Sequence, residues 1–229
     1  MEYTKKTLDK AVKLLLDLIA YFMALPYEVL KLHISRGNRK IGRVFNFSTA
    51  PVITCRNCSK CKKLCYDIKA VLMYTAVRIA RAENTAMMKK DQRATFRQID
   101  EFISRKHKRK FFRWHVSGEI VSKSYFAEMV EIAKKHPDWR FWTYTKVYWI
   151  VNQYCDEYGR YAIPENLTVM FSVWNGVPCS NPYNFPEFLC IMDDMTIPEG
   201  ATKCPGNCDV CIDNKTGCVY GKTSYTFPH

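Results

Sequence analysis

The sequence predicts a mixed α/β fold with an open, mostly parallel sheet. Strand-like and helix-like segments alternate along the middle of the chain, and its cysteine-rich or polar motifs come directly after strands. Crossovers between parallel strands are right-handed, so the strands should form a partial α/β barrel or a doubly wound sheet. We favour the partial, open parallel α/β barrel, with an N-terminal helix before it and a cysteine-rich C-terminal tail after it.

The individual elements follow from the spacing of apolar residues. Residues 4–24 have helical apolar spacing that ends at Pro26, which predicts a helix packed on the body of the domain. We further predict strands at 42–48, 111–116, 140–145, 167–174 and 188–192, and helices from Cys65 and over 92–106, 124–136 and 147–158. The chain then divides into an N-terminal helical segment (1–40), an α/β core (41–197) and the tail (198–229).

The charge of the chain favours an anionic partner. The net charge is +13, so nucleic acid or a nucleotide is the first candidate, and a host protein or a reductase is another. The alternative is a generally basic surface, because the charge is spread along the chain. The densest basic run, RKHKRK at 105–110, falls between a helix and a strand, so we expect a solvated connector there.

The cysteine content points to metal. The first residues do not resemble a signal peptide, and no uncharged apolar run reaches the roughly 18 residues of a membrane span. We therefore expect no membrane partner and a reducing, cytoplasmic location. There, clustered thiols indicate metal binding rather than disulfides, and the total of 11 cysteines fits a complete disulfide framework poorly.

The segment TCRNCSKCKKLCYD, residues 54–67, is the strongest candidate metal site, and we call it the cysteine loop. Its ligands would be Cys55, Cys58, Cys61 and Cys65, spaced C-x-x-C-x-x-C-x-x-x-C. This run is close to that of ferredoxins and favours a 4Fe–4S cluster, whereas structural zinc sites use two separated C-x-x-C pairs. Zinc is the alternative metal. Cys61 and Cys65 are the principal predicted ligands, Cys55 comes next, and Cys58 is the thiol we would remove first from the ligand set.

The tail contains a second group of cysteines without a clear helix or strand period. Cys204, Cys208 and Cys211 are candidate metal ligands, and Cys218 is a weaker one. They could hold a second cluster or a zinc ion, or they could give a ligand to the first cluster. The isolated cysteines are expected to be small buried apolar residues: Cys155, Cys179 and Cys190.

A polar segment follows the strand at 111–116. His115, Ser117 and Glu119 alternate in sequence, so their side chains could point to the same side of an extended strand end. In a catalytic pocket Glu119 would bind an amine or act as a base, and His115 would transfer a proton. The alternative is a supporting role, with hydrogen bonds to loops or cluster sulfurs. Residues 144–146 and Asn175 follow later strands and could line the same pocket.

The order of these motifs resembles the front half of radical-SAM enzymes. A strand, a cysteine loop ending in C-x-x-x-C-Y, a helix and a strand ending in SGE occur in that order. The resemblance implies a partial barrel, a 4Fe–4S cluster and S-adenosylmethionine as a further cofactor, bound by Ser117, Gly118 and Glu119. No triple of cysteines in the loop has the C-x-x-x-C-x-x-C spacing usual in that superfamily.

A second resemblance covers about residues 37–212. The segments CKKLCYDIKA, RWHVSGE, FWTYTK and CPGNCDVC are similar to those of the phage-encoded, cysteine-rich gene product eighty-eight family. The resemblance implies a viral or prophage origin, an iron–sulfur site and a location in the cytoplasm of an infected bacterium. Glu119 stands where the family has an aspartate, which keeps the charge.

Overall fold

A computed structural model describes residues 2–58, 61–192 and 195–227. Within these residues eight strands form one open sheet in the order β1-β2-β3-β4-β5-β6-β8-β7. The strands are β1 (Ile34–Ser35), β2 (Phe45–Phe47), β3 (Phe111–Trp114), β4 (Arg140–Thr145), β5 (Leu167–Trp174), β6 (Glu187–Cys190), β7 (Thr202–Lys203) and β8 (Ser224–Thr226). β1 pairs with β2 antiparallel, and every other pairing is parallel.

Helix α1 (Lys5–Ala24) precedes the sheet, and the other helices connect parallel strands. These are α2 (Tyr66–Met73), α3 (Thr75–Lys90), α4 (Gln92–Ser104), α5 (Lys123–Lys135), α6 (Tyr148–Tyr158) and α7 (Cys208–Asp213). Because β2 to β6 are neighbours in chain order, right-handed crossovers bring their connecting helices to the same face of the sheet. None of the helices in the described part of the chain is both long and apolar enough to cross a bilayer.

The main core lies between this face of the sheet and helices α4, α5 and α6. Alternate strand residues point into it, and the largest are aromatic: Phe47, Phe112, Trp114, Phe141 and Phe171. A second apolar cluster joins α1 to α2 and α3, with Leu15 and Ile19 packed near Ile68 and Met87. The N-terminal helix is therefore packed on the rest of the protein, as its apolar spacing predicts.

The tail covers the opposite face of the sheet, which we call the inner face. Trp142 on β4 and Val44 beside β2 pack there against Ile212 of α7 and Val219. β8 also pairs with β6, and β7 extends the sheet at that edge. The tail is thus part of the sheet and its packing, and the sequence showed no period that predicted β7, α7 or β8.

Most predicted elements match the structure. The strands at 140–145 and 167–174 have the predicted bounds, and residues 105–110 form the connector between α4 and β3. The helix predicted from Cys65 is two helices, because Tyr74 takes an extended conformation between them (φ −119°, ψ 106°). The sequence also gave no indication of β1, which has only two residues.

Candidate metal centre at the strand ends

The carboxyl ends of four parallel strands meet at one edge of the sheet. The Asn57 side chain, in the cysteine loop after β2, donates a 2.9 Å hydrogen bond to the carbonyl of Lys146 after β4. The Lys146 amide donates to the Glu119 carboxylate after β3, also at 2.9 Å. The Lys146 ammonium lies 5.2 Å from the ring centroid of Trp174, at the end of β5. These contacts bring together the motifs that were predicted to share this edge.

Three loop thiols lie close to one another. Cys58 Sγ and Cys61 Sγ are 3.7 Å apart. Hydrogen bonds with Cys55 and with Cys61 raise the pKa of the Cys58 thiol. The hydrogen bond with Cys58 lowers the pKa of the Cys61 thiol, and the positive charge of Lys146 acts in the same direction. Cys58, which we would have removed first from the ligand set, therefore lies between the other two thiols.

Cys65 is in a different environment from these three thiols. It caps the N-terminus of α2 and packs against the apolar cluster of α1, α2 and α3. Burial raises the pKa of its thiol to about 12. The sequence indicated Cys65 as a principal ligand together with Cys61, whereas the structure places Cys58 in contact with Cys61.

The charges around the loop are mostly solvated. Arg56, Lys62 and Lys63 are exposed, and Lys63 pairs with Glu2 at 3.6 Å. Lys60, another cation of the loop, lies outside the described residues. Lys146 is the cation that acts on Cys61, and its position could not be recognised from the sequence of the loop.

The isolated cysteines are largely buried, as predicted. Cys155 and Cys190 are 2% and 4% exposed, and Cys179 is partly buried. Cys190 ends β6. Burial raises the pKa of its thiol, the charge of Lys146 lowers that pKa, and the charge of Cys61 raises it. It therefore lies near the loop thiols, which its sequence position did not indicate.

Gly118 allows two strand-end loops to approach closely. Its φ is +87°, and an added Cβ would lie 1.9 Å from Thr49 Oγ1. The Thr49 amide donates to the carbonyl of Ser117 at 3.0 Å, which joins the ends of β2 and β3. Ser117 Oγ is buried and has no hydrogen-bond partner among the described residues.

His115 does not share a pocket with the other two polar side chains of its segment. Its φ of +54° interrupts the extended backbone, so the predicted alternation with Ser117 and Glu119 is broken. Its Nε2 lies 2.8 Å from the Tyr125 hydroxyl, and its Nδ1 lies 3.4 Å from the Thr143 hydroxyl. Burial lowers the pKa of His115 to about 3, so the imidazole is neutral at neutral pH. This environment favours a supporting role over proton transfer.

Glu119 links backbone segments with both of its carboxylate oxygens. Oε1 accepts from the Ile120 amide at 2.9 Å, and Oε2 accepts from the Lys146 amide. Burial raises the pKa of the carboxyl group, and these hydrogen bonds oppose that effect. The Thr145 side chain is a third hydrogen-bond partner, and a carboxylate has about four acceptor sites, so Glu119 can still accept a hydrogen bond from an amine.

The tail cysteines gather on the inner face. Cys211 and Cys218 are each 5% exposed, whereas Cys204 and Cys208 are partly buried. The Tyr144 hydroxyl lies 2.6 Å from Cys218 Sγ. Burial raises the pKa of Cys208 to about 12 and that of Cys211 to about 11, and the charges of Cys218 and Cys204 add to both shifts.

The chemistry of both groups fits a metal that prefers sulfur ligands. Clustered thiols suit zinc, copper(I) and iron–sulfur clusters. A 3.7 Å separation between Cys58 Sγ and Cys61 Sγ is close to the roughly 3.8 Å expected for two thiolates on one tetrahedral metal with bonds of about 2.3 Å. Among the described residues, no group of three or more Cys, His, Asp or Glu side chains is arranged to hold a metal ion.

The fold and this edge of the sheet define an α/β protein with an open, mostly parallel sheet and a cysteine loop at its strand ends. A family model described as Gene product 88 matches residues 30–176, more than half of the chain. The chain therefore belongs to the Gene product 88 family. The match covers the cysteine loop and ends before the tail cysteines. No curated protein and no solved structure matches the chain significantly.

Proposed function

We propose that this chain is a phage-encoded protein that binds a 4Fe–4S cluster in its cysteine loop, on a partial barrel similar to that of radical-SAM enzymes. One observation carries the proposal: the loop at the carboxyl ends of parallel strands holds four cysteines with a spacing close to that of ferredoxins, Cys55, Cys58, Cys61 and Cys65. The chain order of β2 to β6 supports the partial barrel. A bound cluster would supply one-electron chemistry.

The loop cysteines give the test of this proposal. Replacing Cys58 and Cys61 together by serine should remove iron and sulfide from protein purified without oxygen. Cys179→Ser is the matched control, since Cys179 is a partly buried cysteine in the loop after β5. Equal iron content in the double variant and the control would show that the loop does not hold the cluster.

Binding of S-adenosylmethionine is a narrower part of this proposal. The unpartnered Ser117 hydroxyl could donate a hydrogen bond to the methionyl carboxylate, and the Glu119 carboxylate could accept one from the methionyl amino group. Calorimetric titration of the reduced, iron-loaded protein should show binding that Ser117→Ala weakens. A titration without heat, together with no 5′-deoxyadenosine formed under reducing conditions, would exclude radical-SAM chemistry.

A second candidate function is a non-enzymatic zinc or iron–sulfur module that binds nucleic acid or a host protein. The distance between Cys58 Sγ and Cys61 Sγ favours zinc, because each cysteine of a 4Fe–4S cluster binds a different iron and the sulfurs stand further apart. Nucleic acid is the favoured partner of this module because of a cavity of about 460 Å³ beside β2, whose lining can bind phosphate groups. The cavity is lined by Arg36, Arg39 and Arg43. Asp209, also in its wall, pairs with Arg109 at 2.7 Å.

The role of the arginine cavity can be tested by measuring the binding of single-stranded and double-stranded DNA. Replacing Arg36 and Arg39 by alanine should weaken binding and reduce its salt dependence. Lys134→Ala is the control, because Lys134 pairs with Glu131 on the exposed surface of α5 at 2.8 Å. An equal effect of both changes would indicate only a generally basic surface.

A further inference from the structure

The backbone of the cysteine loop places Cys58 and Cys61 side by side. Their sulfurs are 3.7 Å apart. The Lys62 amide donates to the carbonyl of Cys58 at 3.2 Å, a hydrogen bond of the α-helical type, and Cys61 begins a short 3-10 helix that ends at Leu64. Residues three apart on a helical turn lie on the same face. The close approach of the two thiols therefore follows from the local backbone.

This pair of thiols has the geometry and the access that a redox-active dithiol needs. Residues 58–61, CSKC, have the C-x-x-C spacing of dithiols that are oxidised and reduced reversibly. A disulfide bond is about 2.05 Å long, so the two sulfurs need to approach by less than about 2 Å. Cys58 and Cys61 are both partly exposed, so a small oxidant can reach them.

The other two thiols of the loop are less suited to this bond. Cys65 caps α2 and packs against the apolar cluster of α1, α2 and α3. Cys55 is also three residues from Cys58 and is its alternative partner. The measured contact of 3.7 Å and the helical hydrogen bond at Lys62 favour Cys61 over Cys55 as the partner of Cys58.

We propose that Cys58 and Cys61 are a redox switch of the cysteine loop. In the metal-free protein, a small-molecule disulfide oxidises the two thiols to an intramolecular disulfide, and the loop then cannot take up metal until that bond is reduced. The physical reason is that a metal binds the deprotonated thiol, and a sulfur in a disulfide cannot become a thiolate. This switch rests on the proposed binding of metal by the loop, and it adds a means of controlling when metal is loaded.

The oxidation proceeds by two thiol–disulfide exchange steps. One thiolate of the pair attacks a sulfur of the small-molecule disulfide, which forms a mixed disulfide and releases one small thiolate. The other thiolate attacks the protein sulfur of the mixed disulfide, forms the bond between Cys58 and Cys61 and releases the second small thiolate. The two protons of the protein thiols end on the two released thiols, so the pair loses two electrons and the small disulfide gains them. A dithiol reductant reverses both steps.

Peptide mapping of the unaltered protein tests the pairing. The metal-free, reduced full chain is incubated with oxidised glutathione and digested with trypsin without reduction. A basic residue lies between each two neighbouring thiols of the loop, so Cys55, Cys58 and Cys61 fall in different peptides and the linked pair is read directly by mass spectrometry. We expect a link between Cys58 and Cys61. A link between Cys55 and Cys58, or no link at Cys58, would overturn the switch.

Two matched variants repeat this test with the linkage as the readout, which loss of a metal ligand does not change. Cys55→Ser should still form the bond between Cys58 and Cys61, whereas Cys61→Ser should leave Cys58 unlinked. Loss of the bond in Cys55→Ser, or an equally abundant link at Cys58 in Cys61→Ser, would show that the pairing is wrong.

Metal uptake separates the switch from the proposed function. The oxidised chain should take up less iron or zinc than the reduced chain, and dithiothreitol should restore the difference. Equal uptake by both chains would show that the bond does not control loading. A reduced chain that takes up metal but forms no bond between Cys58 and Cys61 overturns the switch alone. A reduced chain that takes up neither iron nor zinc overturns the proposed function itself.

Discussion

At the scale of single residues, the site depends on backbone contacts that few residue types allow. Gly118 lets the ends of β2 and β3 touch, and Glu119 joins the ends of β3 and β4 through two backbone amides. His115 fills a buried position between two hydroxyl groups. The segment HVSGE is thus a structural junction at the edge where the cysteine loop lies.

Gly118→Ala should lower the free energy of unfolding by at least about 2 kcal/mol, because it adds a clash with Thr49 to the strain of a positive φ. Gly159→Ala is the matched control: its φ is +82°, but nothing lies within 4 Å of an added Cβ. That change carries only backbone strain, of about 1–3 kcal/mol, so it should cost less than Gly118→Ala. Urea unfolding measures both, and equal losses would mean that the close approach to Thr49 does not exist.

His115 should make the protein less stable in mild acid. Its folded pKa of about 3 lies below the unfolded value of about 6.5, so below pH 6.5 the unfolded state binds more protons. Between pH 7 and pH 5 the free energy of unfolding of the unaltered protein should fall by about 2 kcal/mol more than that of His115→Gln. Denaturant unfolding at each pH, at matched metal content, measures this difference. Parallel stability curves would show that His115 is not buried in its neutral form.

At the scale of elements, the tail covers the inner face of the sheet, and helices α4 to α6 cover the opposite face. Trp142 is fully buried between β4 and the tail, in contact with the cluster of Val44, Ile212 and Val219. Its neighbours along β4 point the opposite way, into the main core. The packing of the tail and the position of its thiols therefore depend on the same strand.

Trp142→Ala should destabilise the protein by about 3–5 kcal/mol and expose the tail to proteases, because it leaves a large cavity under α7. Trp149→Ala is the control, since Trp149 on α6 is 42% exposed, and it should cost less than about 1 kcal/mol. Limited proteolysis read by mass spectrometry locates the cleavage. Resistance of the tail in the Trp142 variant would argue against this packing.

The long elements could be predicted from the sequence because their signals are local. Apart from Arg140, β4 is a run of β-branched and aromatic residues, and β5 has five of them among its eight residues. The break at Tyr74 was missed, because Val71, Thr75 and Ile79 keep helical spacing across it. β7 and β8 have two and three residues, and they depend on pairing with strands distant in sequence.

Only part of the candidate site could be predicted from the sequence. The meeting of the cysteine loop, Glu119 and Lys146 follows from the rule that carboxyl ends of parallel strands share an edge. The positions of Cys58 and Cys65 within the loop depend on loop conformation, which spacing does not fix. Arg113 lies on the inner face because strand residues alternate, but its thiol neighbours come from the tail.

At the scale of the whole molecule, the sheet separates two groups of thiols. The cysteine loop lies at the carboxyl edge with Lys146 as its neighbouring cation, and the tail group lies on the inner face beside Arg113. Each group has a positive side chain near it: Lys146 follows β4, and Arg113 belongs to β3 and is partly buried. This arrangement suits thiolate centres, which carry net negative charge when they hold metal.

The most direct test of the account is the iron, acid-labile sulfide and zinc content of the protein purified without oxygen, with its visible spectrum. We expect a brown protein with iron and sulfide in equal amounts and absorption that bleaches on reduction. A colourless protein with one or two zinc ions per chain and no sulfide would contradict the iron–sulfur proposal and favour the zinc module.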